Sequence, residues 1–141
     1  MMGRPEAAAV LPSLMENGVD EQDGVLLRHA DGALTIMSVG LHVEASSDAA
    51  VYGTQGRILL PRFQGCEKAT LIRKDGQERT FSRPLLSPYG FEFEAMEAAR
   101  CVREGLLETP VMPLEESLAI MEQLDGLRAS YGLRYQAEGE K

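Results

Sequence analysis

GVLLRHADGALTIMSVGLHVEA, residues 24–45, sets two apolar runs on either side of Asp31-Gly32. Asp-Gly between such runs marks a tight β-hairpin, because glycine supplies positive φ at low steric cost. The run from Ala33 to Val43 then reads as one long strand. Its odd row is Ala33, Thr35, Met37, Val39 and Leu41, and its even row is Leu34, Ile36, Ser38, Gly40 and His42. An antiparallel strand with one wet face alternates cleanly between apolar and polar. Neither row here is clearly polar, so both faces call for cover.

The next stretch, VYGTQGRILLP (51–61), holds Gly53 and Gly56 between apolar residues. Two readings compete: a phosphate-cradling loop, or a turn. A dinucleotide loop needs a third glycine, a helix opening directly after it and an acidic residue roughly 20 positions on. Here Arg57-Ile58-Leu59-Leu60 follows, aliphatic and stopped by Pro61, which is strand composition. The turn reading is preferred, with Gly53 and Gly56 as turn glycines at positive φ. No Walker-type loop occurs anywhere in the chain.

Working outward, KATLIRKDGQERTFSRP (68–84) repeats the hairpin device at Asp75-Gly76. Ser46-Ser47-Asp48 breaks the chain before Ala49–Val51. PEAAAVLPSLME (5–16) reads as the first strand, placed at an edge or a bulge by Pro12. From about residue 88 the period changes to that of helices. Phe91, Ala95, Ala98 and Val102 form one apolar stripe, opened by Ser87-Pro88 and stopped by Gly105. A second helix opens at Pro113, carries Glu115 and Glu116 at the positive end of its dipole, and stops at Gly132. Ile120, Leu124, Leu127 and Tyr131 mark its apolar stripe, widened by Leu114, Leu118 and Met121.

The expected architecture is α+β: a largely antiparallel open sheet of about six strands, followed by two helices packed on one face. With 141 residues, the length prior favours one domain: strands over 5–84, helices over 88–132, a tail over 133–141. A net charge of −8 with scattered Lys and Arg argues against nucleic acid. No apolar run approaches the roughly 20 residues of a membrane span, and no signal pattern opens the chain. Cys66 and Cys101 sit in unrelated contexts, which fits a reduced, cytoplasmic setting.

Catalytic chemistry is hard to find. His29 lies beside a hairpin turn. His42 lies on the long strand with Glu44 two residues on, short of a metal ligand set. Ser46 and Ser47 read as turn formers, and the glutamates of FEFEAMEAAR point to several sides of a helix. The residues alone therefore describe an α+β domain with an incomplete surface, and nominate no catalytic, cofactor or metal residue.

The helical half, GFEFEAMEAARCVREGLLETPVMPLEESLAIMEQLDGLRASYGLRY (90–135), resembles the C-terminal end of the glucose–fructose oxidoreductase / inositol dehydrogenase (Gfo/Idh/MocA) family. The similarity is greatest to its dihydrodiol-dehydrogenase-like branch. GVDE (18–21), DGALTIMS (31–38) and YGTQGRILLP (52–61) match that family's C-terminal sheet in the same order. The resemblance implies a two-domain parent enzyme. Its Rossmann domain would bind NAD or NADP, and its open sheet would wall the substrate pocket and join a homodimer. The cofactor loop, the Glu-Lys-Pro segment and the Asp-x-x-x-His motif have no counterpart in these residues, so no catalytic residue carries over. The expected role is the substrate-side and dimerisation domain of an oxidoreductase acting on a sugar, polyol or diol, inert alone. The alternative is a free-standing binding or structural module. The interface row nominated is Thr35, Met37, Val39 and Leu41, with the choice of face left open.

Overall fold

The computed structural model describes residues 3–134, and the expected tail over 133–141 lies mostly outside them. Seven strands run in order: β1 Pro5–Leu14, β2 Asp20–His29, β3 Leu34–Gly40, β4 Ala49–Gly53, β5 Gly56–Leu60, β6 Lys68–Arg73 and β7 Glu78–Ser82. Two helices follow, α1 Glu92–Glu104 and α2 Leu114–Ser130. The fold is α+β. The strands form two antiparallel ladders, β1-β2-β3 and β4-β5-β6-β7, in place of the expected single sheet of about six. The division falls where β3 stops at Gly40, three residues short of the expected Val43. Residues 41–48 join no ladder. Ser46 Oγ donates to Asp48 Oδ2 at 2.5 Å, and Asp48 Oδ1 accepts the Arg62 amide at 3.0 Å, so local side-chain bonds take over.

The chain divides into two compact units. One joins the chain up to Glu44 with the chain from Pro110 onward, and the other is Ala45–Thr109. The first holds the three-stranded sheet and α2, and α2 lies against β1. The second holds the four-stranded sheet and α1.

One turn chemistry closes three of the hairpins. In Met15–Val19, His29–Ala33 and Arg73–Gln77, the glycine amide donates to the carbonyl three residues back, and the first and last residues pair. Asn17, Asp31 and Asp75 each accept the amide two residues on, at 3.0–3.1 Å. Gly18, Gly32 and Gly76 sit at φ 82, 83 and 85°, the left-handed position that follows a type I turn in a three-residue loop. The β4–β5 hairpin is tighter, with Gly53 opposite Gly56 across Thr54-Gln55. Gly53 is not at positive φ, which corrects the expectation for it. Gly56 is at φ 155°, and a Cβ there would stand 2.4 Å from the Ile72 carbonyl. Gly56 is thus required by the close approach of β6, while Gly53 has room.

Helix α1 begins at Glu92, four residues later than Pro88. Gly90 at φ 76° turns the chain out of helical conformation first. Ser87 still caps, but it caps the turn: its Oγ accepts the Gly90 amide at 3.2 Å and donates to the Glu92 carboxylate. Glu92 also accepts the Leu86 amide at 2.6 Å, and these bonds hold its pKa below the usual carboxylate value, the Ser87 bond most of all. Gly105 at φ 68° ends α1 as expected. Gly132 at φ 78° lies two residues past the end of α2.

Candidate functional site

The three-stranded sheet presents two different faces. Residues paired across antiparallel strands share a face, so the register sorts every side chain. Asp23, Val25, Leu27 and His29 of β2 share one face with Val39, Met37 and Thr35 of β3 and with Pro12, Val10 and Ala8 of β1. All four of those β2 residues are buried, Leu27 to 4% exposure. The opposite face carries Leu26 and Arg28 with Ile36 and Leu34 of β3 and Leu11 of β1. There Leu11 is 81% exposed and Ile36 80%, with Leu26 and Leu34 exposed as well. Apolar residues of both β3 rows therefore reach water, Met37 and Val39 of the odd row as well as Leu34 and Ile36 of the even one. Of the nominated interface residues, Thr35, Met37 and Val39 share a face with the buried β2 row, yet Met37 is 38% and Val39 54% exposed. Leu41 lies beyond the strand, where its amide donates to the Glu21 carbonyl at 2.9 Å.

Both helices also leave apolar stripes in water. On α1 the anticipated stripe of Phe91, Ala95, Ala98 and Val102 is exposed, and the buried residue is Cys101. Phe93 turns inward instead, with the Arg83 guanidinium 3.8 Å above its ring. The inward side of α1 is polar. Arg100 donates to Glu97 at 2.8 and 2.9 Å and to Glu104 at 2.5 Å, and the Thr109 hydroxyl donates to Glu97 at 2.5 Å. The Arg100 bonds, then the Thr109 bond, pull the Glu97 carboxyl down to about 2, and the Arg100 guanidinium is correspondingly raised. On α2, Leu127 and Tyr131 are half-buried, but Leu114, Leu118, Met121 and Leu124 are exposed.

The two histidines have structural duties. His29 Nδ1 lies 3.1 Å from the Gly3 carbonyl and Nε2 lies 3.0 Å from the Thr35 hydroxyl. A carbonyl can only accept, so Nδ1 carries the proton in the neutral ring and the Thr35 hydroxyl donates to Nε2. His42 meets Glu21 at 3.2 Å, both exposed, and not the nearby Glu44. Cys66 and Cys101 are free thiols. Among the described residues no cluster of three His, Cys, Asp or Glu side chains could hold a metal, and no helix is long and apolar enough to cross a membrane.

Sequence reading missed two polar clusters. One is Glu97, Arg100 and Thr109, whose i,i+3 spacing on α1 was visible but whose third member comes from twelve residues on. The other is Asp23, which the alternation 23-25-27-29 in DEQDGVLLRH places on the buried row. The signal was a carboxylate in step with Val25 and Leu27.

No family model matches the chain. It is 27% identical to human trans-1,2-dihydrobenzene-1,2-diol dehydrogenase over 139 residues, covering 94% of this chain and 41% of that protein. The mouse protein of the same name is 29% identical over the same shares, and the zebrafish (Danio rerio) protein 26% over 97% of this chain. This chain thus spans about two fifths of the length of the curated relatives it matches. Among solved structures, the aldose-aldose oxidoreductase of Caulobacter crescentus, complexed with glycerol, superposes with a TM-score of 0.71 at 16% identity. That match covers 93% of this chain and 40% of the other, and it establishes likeness of fold.

Proposed function

We propose that this chain, which carries the C-terminal α+β domain of the Gfo/Idh/MocA oxidoreductases in their dihydrodiol-dehydrogenase-like branch, is the substrate-side and dimerisation part of an NAD(P)-dependent enzyme acting on a diol, polyol or sugar. One observation carries the reading: the collinear match to the dihydrodiol dehydrogenases over 94% of the chain. The exposed row of Leu11, Leu26, Leu34 and Ile36 supports the dimerisation half of it. Contiguous apolar surface of that kind tends to be an interaction site, and a two-fold pair is the commonest closed arrangement. Met37, Val39 and Leu41 of the odd row are exposed too, so both rows of β3 are offered to a partner. The part of the enzyme that holds the nicotinamide cofactor is a Rossmann domain outside this sequence, and the setting is cytoplasmic, in keeping with two free thiols.

Three measurements test the reading. Sedimentation velocity at roughly 100 µM, a concentration at which a micromolar dimer is assembled, is expected to give a dimer for the parent and a folded monomer for Ile36→Lys. A monomeric parent removes the dimer. NADH fluorescence titration of the chain alone is expected to show no saturable binding. Grafting residues 1–141 in place of the matching segment of the mouse enzyme tests the catalytic role. A folded, dimeric graft with no diol oxidation overturns the oxidoreductase assignment.

A further inference from the structure

Asp23 is the anomaly of the first unit. It is 8% exposed, in a row otherwise made of Val25, Leu27 and His29, and among the described residues no donor reaches its buried Oδ1. Its cross-strand neighbours, Pro12 on β1 and Val39 on β3, carry no polar side-chain atom. The register puts another acid on the same face: Asp20, at the start of β2, pairs with Leu14, and Asp23 pairs with Pro12, two residues away on β1. The register slips here from Ser13↔Gln22 to Leu14↔Asp20, a bulge that leaves Glu21 unopposed. Two ionised carboxylates are acceptors only, and buried like charges repel. A single proton on the pair supplies the missing donor and removes one charge.

We propose that Asp20 and Asp23 share one proton, and that this proton latches the bulged end of the three-stranded sheet. When it leaves, to solvent, two carboxylates face each other beside the buried Val25, and among the described residues neither has an ion-pair partner. Among the described residues, the other ionisable groups at this end are Glu21 and His42, which hold each other, and Glu16 in the β1–β2 turn. Helix α2, packed on β1, brings Glu122, bound to Arg4 at the far end of that strand, and Asp125, bound to Arg128. Glu115 and Glu116, in its first turn, line a cleft with Gly3 and Arg4, also at the far end. Burial, followed by the Asp20 charge and hydrogen bond, raises the Asp23 carboxyl above its ordinary 3.8. A group raised in the folded state contributes stability that is complete below its unfolded value and is lost as pH climbs through the folded one. The latch is therefore closed in acid and opens as pH rises through the raised Asp23 value.

Carboxyl-carbon NMR of the labelled 141-residue chain tests this directly, from about pH 3 to about pH 8. Asp23 is expected to titrate above the ordinary aspartate value, with that step absent in Asp23→Asn. Melting temperature is expected to fall with rising pH in the parent beyond any fall in Asp23→Asn. In Asp20→Asn the Asp23 step moves down. An Asp23 carboxyl titrating at or below the ordinary value in the unmodified chain would overturn the proposal, whether or not the variants fold. So would identical pH profiles for parent and Asp23→Asn.

Discussion

The two sheets are closed by the same turn and buried to different depths. His29–Ala33 in the first and Arg73–Gln77 in the second share their Asp-Gly pair, their side-chain bond to the amide two residues on and their left-handed glycine. Yet β2 buries four residues, while β4 to β7 bury none. Turn chemistry decides which strands pair. It does not decide which face goes dry, because that depends on what is laid over the strands. In the first unit α2 lies against β1, and the β2 row on one face is closed. In the second, Phe81, Tyr52 and Val51 remain in water.

The sharpest way to break this contrast is to truncate one residue of each kind. Leu27→Ala, in the buried row, is expected to cost about 3 kcal/mol by lost burial and a residual cavity. Phe81→Ala, half exposed and under the Arg79 guanidinium, is expected to cost under about 1 kcal/mol. Equal losses in chemical denaturation would mean that the sheets are alike in depth. Next in size is the β4–β5 turn. Gly56→Val places a Cβ against the Ile72 carbonyl and is expected to cost more than about 2 kcal/mol, whereas Gly53→Val is expected to stay under about 1. A reversed order would show the hairpin to be misregistered.

A smaller effect sharpens the likeness. Gly32→Ala and Gly76→Ala each force a side chain into the left-handed region with no neighbour to strike, so each is expected to cost about 1 kcal/mol, and by equal amounts. Unequal losses would show that burial reaches into the turns. The smallest is electrostatic. Glu97 is lowered, so its contribution is present above the ordinary 4.5 and disappears as pH falls toward about 2. Acid unfolding of the parent is expected to show a dependence in that window which Glu97→Gln lacks.

What was legible in the sequence follows the same division. The Asp-Gly hairpins, the Pro12 edge strand and the Gly105 stop could be read because each rests on bonds within a few residues. The start of α1 was misplaced because Ser87-Pro88 carries cap chemistry, but Gly90 spends it on a turn. The dry faces were not legible. Phe91, Ala95, Ala98 and Val102 form as good an apolar stripe as any on paper. In the structure α1 instead directs Phe93, Glu97 and Arg100 inward. Only a partner surface decides between such faces, and periodicity carries no information about partners. Asp23 escaped for a related reason: it sits among Asp20, Glu21 and Gln22, and composition there suggests a solvated strand end.

Every strand pairs with its neighbour in sequence, β1 to β3 and β4 to β7, without a crossover. Loop-closure entropy is therefore small for both ladders, and each can zip from its turns on the fast side of the rates seen for β proteins. Helix α2 is the exception. It must find β1 across about a hundred residues of chain, with the whole second unit in between. Refolding should then be biphasic: rapid hairpin assembly throughout, and a slower docking step confined to the first unit, to which Leu27→Ala is sensitive and Phe81→Ala is not.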